Sequence, residues 1–430
     1  MMNLTNVSQL KWLYIFILSC TNIFSQQIEL TKEGYNELIE VRNYLYNHPE
    51  ESGQEKLTAL YVANYLKEIG LEVKTNIGGY GVVGILNGDK KGKSIAWRAD
   101  MDAICKSDYS KKNNDKQCTL AHICGHDVHT TIGLGIAKVL ANQKHNIQGT
   151  IYFIFQPSEE NWKGAKAIIN DNLWDSIHPD EIYGAHIAPM PVGLIATKPN
   201  YIYADYKQIN LKFKNVKDHE GLLKFVKEAV SELQNIPEDS PFWKMESLLK
   251  TDIGIGNPQT IFKDYITVED SFEIKKEGEE ITISTFVSAS NANLMESIPA
   301  QLKQKIQTSL YRKKIDKIEF WSNQFAYSTQ RGNINNDINL SQRALSILTD
   351  GTNGNFTTLP LYGVIPGGRG DDFAFFQEET PGVYFLIGGS NFEKGIIAMP
   401  HASDFNIDEK VIKVGVEAFA TLLKGSLDGK

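Results

Sequence analysis

The chain has 430 residues, with 44 Lys and Arg against 52 Asp and Glu, a formal charge of −8 and a pI of about 5.7. That balance offers no surplus of cations to neutralise phosphates, which excludes a nucleic-acid partner. Hydrophobic residues make up 42% and mean hydropathy is −0.28, which excludes disorder and a multi-span membrane protein, while the length exceeds what one hydrophobic core organises. Two domains, or one interrupted by another, are expected.

The longest apolar run, Trp12 to Ser19, follows Lys11 and is too short to span a bilayer. It predicts a signal peptide over residues 1–25 and a secreted or periplasmic protein without a stable membrane span in its mature form. Cleavage after Ser25 is favoured over lipoprotein processing before Cys20, because Leu18 fits a lipoprotein box poorly. Three cysteines then remain, an odd number for an oxidising compartment, so one has another use. Cys124 is the candidate, leaving Cys105 and Cys118 free to pair.

The pattern is helical from Thr31 to Gly70, with Val62, Tyr65, Leu66 and Ile69 at helical spacing and Gly70 placed to end the helix. Apolar strands are predicted at 82–86, 94–97, 150–155 and 182–185, with a helix over 131–140, and this alternation predicts an α/β layer on a mostly parallel sheet. From 202 to 322 the pattern changes to a strand at 209–213, a helix at 221–234, a hairpin turning at Glu277-Gly278, a helix after Pro299 and a strand at 318–320. That order predicts an inserted two-layer α+β module of ferredoxin-like type. From 323 the α/β pattern resumes, with a helix at 339–348, a strand at 383–387 and a last helix carrying Ile412, Val416, Phe419 and Leu423. The predicted division is therefore 26–201 and 323–430 as one domain, with 202–322 inserted between its halves.

The densest polar cluster is His122-Ile123-Cys124-Gly125-His126-Asp127-Val128-His129. Cys124 and His126 straddle a glycine, which lets the backbone fold tightly enough for both to reach one cation. The 150–155 strand runs into Glu159-Glu160, placing two carboxylates at a strand's carboxyl end, where open α/β sheets build their sites. Adjacent carboxylates repel, so one can bind metal while the other serves as base. His186 ends another strand, His401 follows a Gly-rich stretch, and Asp100 and Asp102 end the 94–97 strand, where a carboxylate can orient a ligand histidine through its second nitrogen.

Arg98 to Asp102, His122 to His129, Phe155 to Glu160, Gly184-Ala185-His186, Gly370-Asp371-Asp372-Phe373 and Pro400-His401 occur in the order of one family. The chain resembles the amidohydrolase branch of the aminoacylase/carboxypeptidase G metallopeptidases, which includes hippurate hydrolases and hydrolases of auxin-amino acid conjugates. The resemblance implies a zinc-peptidase-like catalytic domain whose inserted module acts as lid and dimerisation domain. It implies that Cys124, His126, Glu160, His186 and His401 hold two divalent metal ions (Zn, Mn, Co or Ni), with Cys124 bridging. Glu159 would be the catalytic base and Asp102 the acid behind a ligand. Asp371-Asp372 stands where the family carries an acidic pair, in support or in catalysis. The expected reaction is hydrolysis of an amide bond in a small N-acyl amino acid or short peptide, with a homodimer through the inserted module.

Within that module the family's Gly-Gly-His-Ala turn and its substrate-binding arginine are missing. His219 stands near the turn's position and is the candidate oxyanion-assisting residue, while Arg312, the only arginine between 200 and 325, lies in a basic run. Trp162 replaces a glycine-rich stretch and is a candidate pocket residue. Two other readings stand beside the hydrolase: a binding or scaffold protein that keeps the fold and metal site, and a cysteine hydrolase using Cys124 with His126 as base.

Overall fold

In a computed structural model, the described residues are 28–106, 119–321, 331–352 and 354–429. The expected signal peptide lies outside them. Among them, no helix is long and apolar enough to cross a membrane.

The helical stretch before Gly70 is two helices, Lys32–Asn47 and Lys56–Glu68, separated at His48-Pro49. Thr31 caps the first, its hydroxyl accepting from Gly34 N, and Gly70, at φ 86°, ends the second without cost to a side chain. Eight strands form the main sheet in the order Glu72–Ile77, Gly81–Asn87, Gln148–Gln156, Lys90–Asp100, Glu181–Pro191, Gly382–Ser390, Leu194–Thr197, Thr357–Pro360. The four central strands, from Gln148–Gln156 to Gly382–Ser390, run parallel, and antiparallel pairs extend the sheet on both sides. Chain order leaves Lys90–Asp100 with a later parallel strand on each flank, which opens a crevice at its carboxyl end.

Side chains alternate across this sheet because its period is two. Along Gln148–Gln156, Ile151, Phe153 and Phe155 enter the core under the helices Lys32–Asn47, His126–Ala141 and Lys410–Leu427, while Ile154 enters the core on the opposite face. Glu181, at the start of its strand, ties the sheet to the helices on one face by accepting from Lys93 Nζ (2.6 Å), Tyr183 Oη (2.8 Å) and Ser426 Oγ (2.5 Å) and pairing with Arg343.

Residues 205–321 carry a second, antiparallel sheet, with Ile266–Val268, Glu280–Ala289, Asp205–Lys214 and Ile315–Trp321 in that order and Glu273–Glu277 as the other half of a hairpin. Its core lies under the helices His219–Ser231 and Ala292–Gln307. Pro299 sits inside the second helix rather than before it. Asn291 caps that helix by accepting from Leu294 N (3.0 Å), and the stripe Met295, Ile298, Leu302, Ile306 carries it across the proline's missing donor. The stretch 236–265, which has no period that predicts an element, forms two short 3₁₀ turns, and its Phe242, Ile255, Phe262 and Tyr265 join the core cluster of the main sheet.

Burial alone would push the Glu181 carboxyl up, but hydrogen bonds from Lys93, Ser426 and Tyr183 outweigh it and hold the carboxyl below its ordinary value of 4.5. A carboxyl lowered by folding adds stability that is present above the unfolded value and lost as pH falls through the folded one. Glu181→Gln should therefore cost about 1–3 kcal/mol at pH 7. In denaturant titrations its deficit should shrink as the pH drops below 4.5.

Candidate metal centre

The polar motif sits at a helix start. The helix expected over 131–140 begins at His126, because Gly125 takes a left-handed φ of 98° and turns the chain from the Cys124 loop into the helix. The polar residues of its first turn hide the apolar period but are buried against the strand ends.

His126 Nδ1 lies 3.1 Å from Asp102 Oδ1, while its Nε2 is buried with no hydrogen-bond partner. An imidazole held through one nitrogen presents the other as a ligand lone pair. Burial opposes protonation of His126, but Asp100 and Asp102 overcome it and raise its pKa to about 10, so without a cation the ring would bind a proton instead. Asp102 is itself fixed, accepting from Ser52 Oγ (2.7 Å) and Glu160 N (2.9 Å). Burial opposes the Asp102 charge, but its bond to His126 keeps the carboxyl below its usual value.

His186 Nδ1 lies 2.7 Å from Ile187 O, which as donor leaves Nε2 to face Cys124 Sγ at 3.3 Å. His401 Nε2 lies 3.2 Å from Glu160 Oε1, and the backbone of His401, left-handed at φ 65°, donates to Ile123 O at 2.7 Å. Two groups of potential ligand atoms, each within 4.8 Å, thus share one sulfur: Cys124, His126, His186 and Cys124, Glu160, His401. Glu159 joins His126 and Glu160 in a third such group. Five candidate ligands and Glu159 are together.

His129 is not available as a ligand. Its Nδ1 meets Asp100 Oδ1 at 2.6 Å and its Nε2 accepts from Ile187 N at 2.9 Å, so both nitrogens are used in tying two strand ends together. Asp127 accepts from Arg42 Nε at 2.8 Å, at the back of the helix.

Beneath this cluster lies Arg98, which is 1% exposed. Its guanidinium meets Asp100 Oδ2 (2.5 Å), Asp371 Oδ1 (3.0 Å), Asp372 Oδ1 (3.0 Å) and Gln156 Oε1 (2.8 Å). Burial works against the charge on Asp100, but Arg98 and the two histidines hold its carboxyl well below the usual range. Asp372 is raised to about 8 by burial and by Asp371, against the pull of Arg98. Asp371-Asp372 thus supports the strand ends, with Asp371 also accepting from Tyr384 Oη. Burial, reinforced by Asp371 and Glu160, raises Glu159 well above the ordinary glutamate value.

The donor set fits a pair of divalent cations: a thiol, imidazoles and carboxylates converge, and His126 Nε2 has no other partner. The nucleophilic-cysteine arrangement fits less well. Cys124 faces His186 rather than His126, and burial with the nearby Glu160 and Glu159 raises its thiol well above the usual value, the reverse of an activated thiolate.

The ligand cluster opens into a cavity of ≈ 800 Å³ whose walls include Trp162, Tyr203, Met245, Leu249, Arg331, Arg369 and Phe392. Trp162 is on its wall as expected and is also a packing residue, 5% exposed. His219 is elsewhere. It begins a helix beyond the far end of strand Asp205–Lys214, about 30 Å of chain from the cavity. Its nitrogens meet Val216 O (3.0 Å) and Lys276 Nζ (2.6 Å), so within this chain the structure does not bring it to the cluster. Arg312 is exposed at that same far end. Cys105 is disulfide-bonded, while its expected partner Cys118 lies outside the described residues. Ser52, Glu55, Arg331 and Arg369 are site residues that sequence reasoning missed, because the first three reach the cavity or its supports from segments without a motif and Arg369 adjoins the Gly370 to Phe373 motif without being part of it.

A mostly parallel α/β sheet with this ligand cluster at its carboxyl edge is the architecture of a metal-dependent hydrolase. Residues 96–425 match the model of peptidase family M20/M25/M40, and the chain belongs to that family. It is similar to a putative amidohydrolase, YhaA, of Bacillus subtilis, with 26% identity covering 93% of this chain and 98% of that one. A hippurate hydrolase of Campylobacter jejuni is 41% identical over 154 residues, 36% of this chain and 40% of that one. The Bacillus subtilis YXEP protein, described as a dinuclear metal binding peptidase, shares the fold at a TM-score of 0.69 and 22% identity, over 93% of this chain and 99% of that one. The protein is thus a hydrolase of the amidohydrolase and peptidase group.

Asp102→Asn keeps the shape of the support behind His126 but removes its charge. It should weaken binding of a divalent ion about tenfold to a hundredfold with the fold intact, read by metal titration alongside circular dichroism.

Proposed function

We propose that the protein hydrolyses the amide bond of an N-acyl amino acid or short peptide, with Glu159 as the proton carrier. The observation that carries this reading is the sharing of Cys124 between two ligand groups, with Glu159 beside both and facing the cavity. In this reading Cys124 would serve both cation positions, His126 and His186 would help to hold one ion, and Glu160 and His401 would help to hold the other. Divalent ions held there supply an acidified water and an electrophile for the amide carbonyl. Glu159, raised by burial, takes the proton of the attacking water and returns it to the departing amine. Asp102 fixes the ring of His126, and Arg98 keeps the carboxylates below from repelling one another. The ions can be zinc, manganese, cobalt or nickel, since a mixed thiolate, imidazole and carboxylate set accepts each.

Glu159→Gln, which is nearly isosteric, should lower kcat by at least about a hundredfold. Its metal content should stay at that of the wild type. Chelation should abolish wild-type turnover, and re-addition of divalent ions should restore it. Two bound ions with no turnover of any N-acyl amino acid or dipeptide would instead return the protein to the binding or scaffold reading.

The same proposal places the mature protein outside the cytoplasm. The leader pattern of residues 1–25 supports this, and so does the disulfide at Cys105, which persists in oxidising compartments. Sequencing the amino terminus of protein expressed with its leader should find Gln26. A blocked, lipid-bearing Cys20 would establish the anchored form.

A further inference from the structure

A second, smaller cavity of ≈ 310 Å³ adjoins the first, and the two share Met245, Leu248 and Arg369 in their walls. Arg369 therefore stands at the junction. One side of it holds the acidic ligand cluster, and the other is walled by the rings of Phe242, Trp243 and Phe286. Met245, Leu248 and these first two rings come from the 236–265 stretch, so the apolar wall is supplied by the segment that packs against the main sheet.

The loop that carries Arg369 is held firmly. The Arg331 guanidinium stacks 4.3 Å from the Trp162 ring and donates to Gly368 O at 2.7 Å. A Cβ on Gly370 would come within 2.8 Å of Trp162, and one on Gly368 within 3.2 Å of Tyr206, so the loop backbone lies flat against two rings. The side chain of Arg369 is exposed and, among the described residues, is in no ion pair; its guanidinium contacts only Met245 Sδ, at 3.9 Å. It is nonetheless near the chemistry, because Arg369 lines the same cavity as Tyr203, Cys124 and Glu159. A rigidly based guanidinium with no carboxylate partner among the described residues, facing a cavity, has the fork geometry that binds a planar carboxylate through two hydrogen bonds.

We propose that Arg369 binds the free carboxylate of the substrate, and that the smaller cavity takes the apolar side chain on the same carbon. The proposal rests on the amide-hydrolase reading and deepens it. The preferred substrate is an N-acyl amino acid with a bulky apolar side chain and an unblocked α-carboxylate, and a carboxamide in its place loses the charge that Arg369 reads.

The test compares N-benzoylleucine with its primary amide on the metal-loaded protein, following release of benzoate. In Arg369→Gln the acid-to-amide ratio of kcat/KM should fall about tenfold to a hundredfold, the worth of a charge-assisted pair, with the change in KM for the acid. Arg369→Lys should restore part of it. An unchanged ratio, or equal losses for acid and amide, would overturn the proposal, and because Arg369 is exposed the fold survives either substitution. Binding of both compounds to metal-loaded Glu159→Gln, with and without Arg369→Gln, separates the two ideas. If the wild type hydrolyses neither compound but the acid binds in an Arg369-dependent way, the hydrolase reading fails and the carboxylate site stands. If the acid binds no better than the amide, the carboxylate site fails.

Discussion

The buried guanidinium of Arg98 is the constraint on which the site depends. Three aspartates meet it in a region closed to water, and without a cation there they would repel one another or take up protons. Placed within the Lys90–Asp100 strand, it neutralises that strand's own end and joins it to the acidic pair before helix Phe373–Glu379, more than 270 residues later in the chain. Asp100, fixed by Arg98, fixes His129, which in turn accepts from the backbone of Ile187 beside His186. Polar groups are thus ordered outward from one charge until they reach the candidate ligand residues.

Backbone strain is also stored at the same edge. Ser158, Trp162 and His401 all have positive φ without being glycine, at a cost of about 1–3 kcal/mol each. Hydrogen bonds hold them in place: Ser158 N donates to Glu55 Oε1 at 2.8 Å, Trp162 N to Glu159 O at 2.8 Å, and His401 N to Ile123 O at 2.7 Å. The turn that presents Glu159 and Glu160 is therefore set by its surroundings, and Glu55, raised to about 7 by burial and by Asp102, is part of that cost.

Much of this was legible in the sequence, for local reasons. Strand positions show as short apolar runs, and Cys124 with His126, or Glu159 with Glu160, are close enough in the chain to be read as units. Long-range pairings were not legible: nothing near Arg98 points to Asp371-Asp372, and Ser52 gives no sign that it meets Asp102. Helix starts were read late where the first turn is polar and buried, as at His126. The 236–265 stretch was unreadable because 3₁₀ turns have no amphipathic period, although its aromatic residues anchor it to the main core. His219 shows a different limit, since proximity to a strand end in sequence did not say that, within one chain, it lies at the end of the sheet away from the cavity.

The two groups of ligand atoms that share Cys124 differ in their access to water. His126 is fully buried and His186 is partly buried at the cavity wall, while His401 has a side chain 56% exposed on a loop outside the sheet. Two ions of one element seated there would be chemically alike and kinetically distinct. Both positions would face one cavity, but the one completed by His401 would be the more open to water, so its metal population would follow the surroundings more closely than that of the position completed by the buried His126.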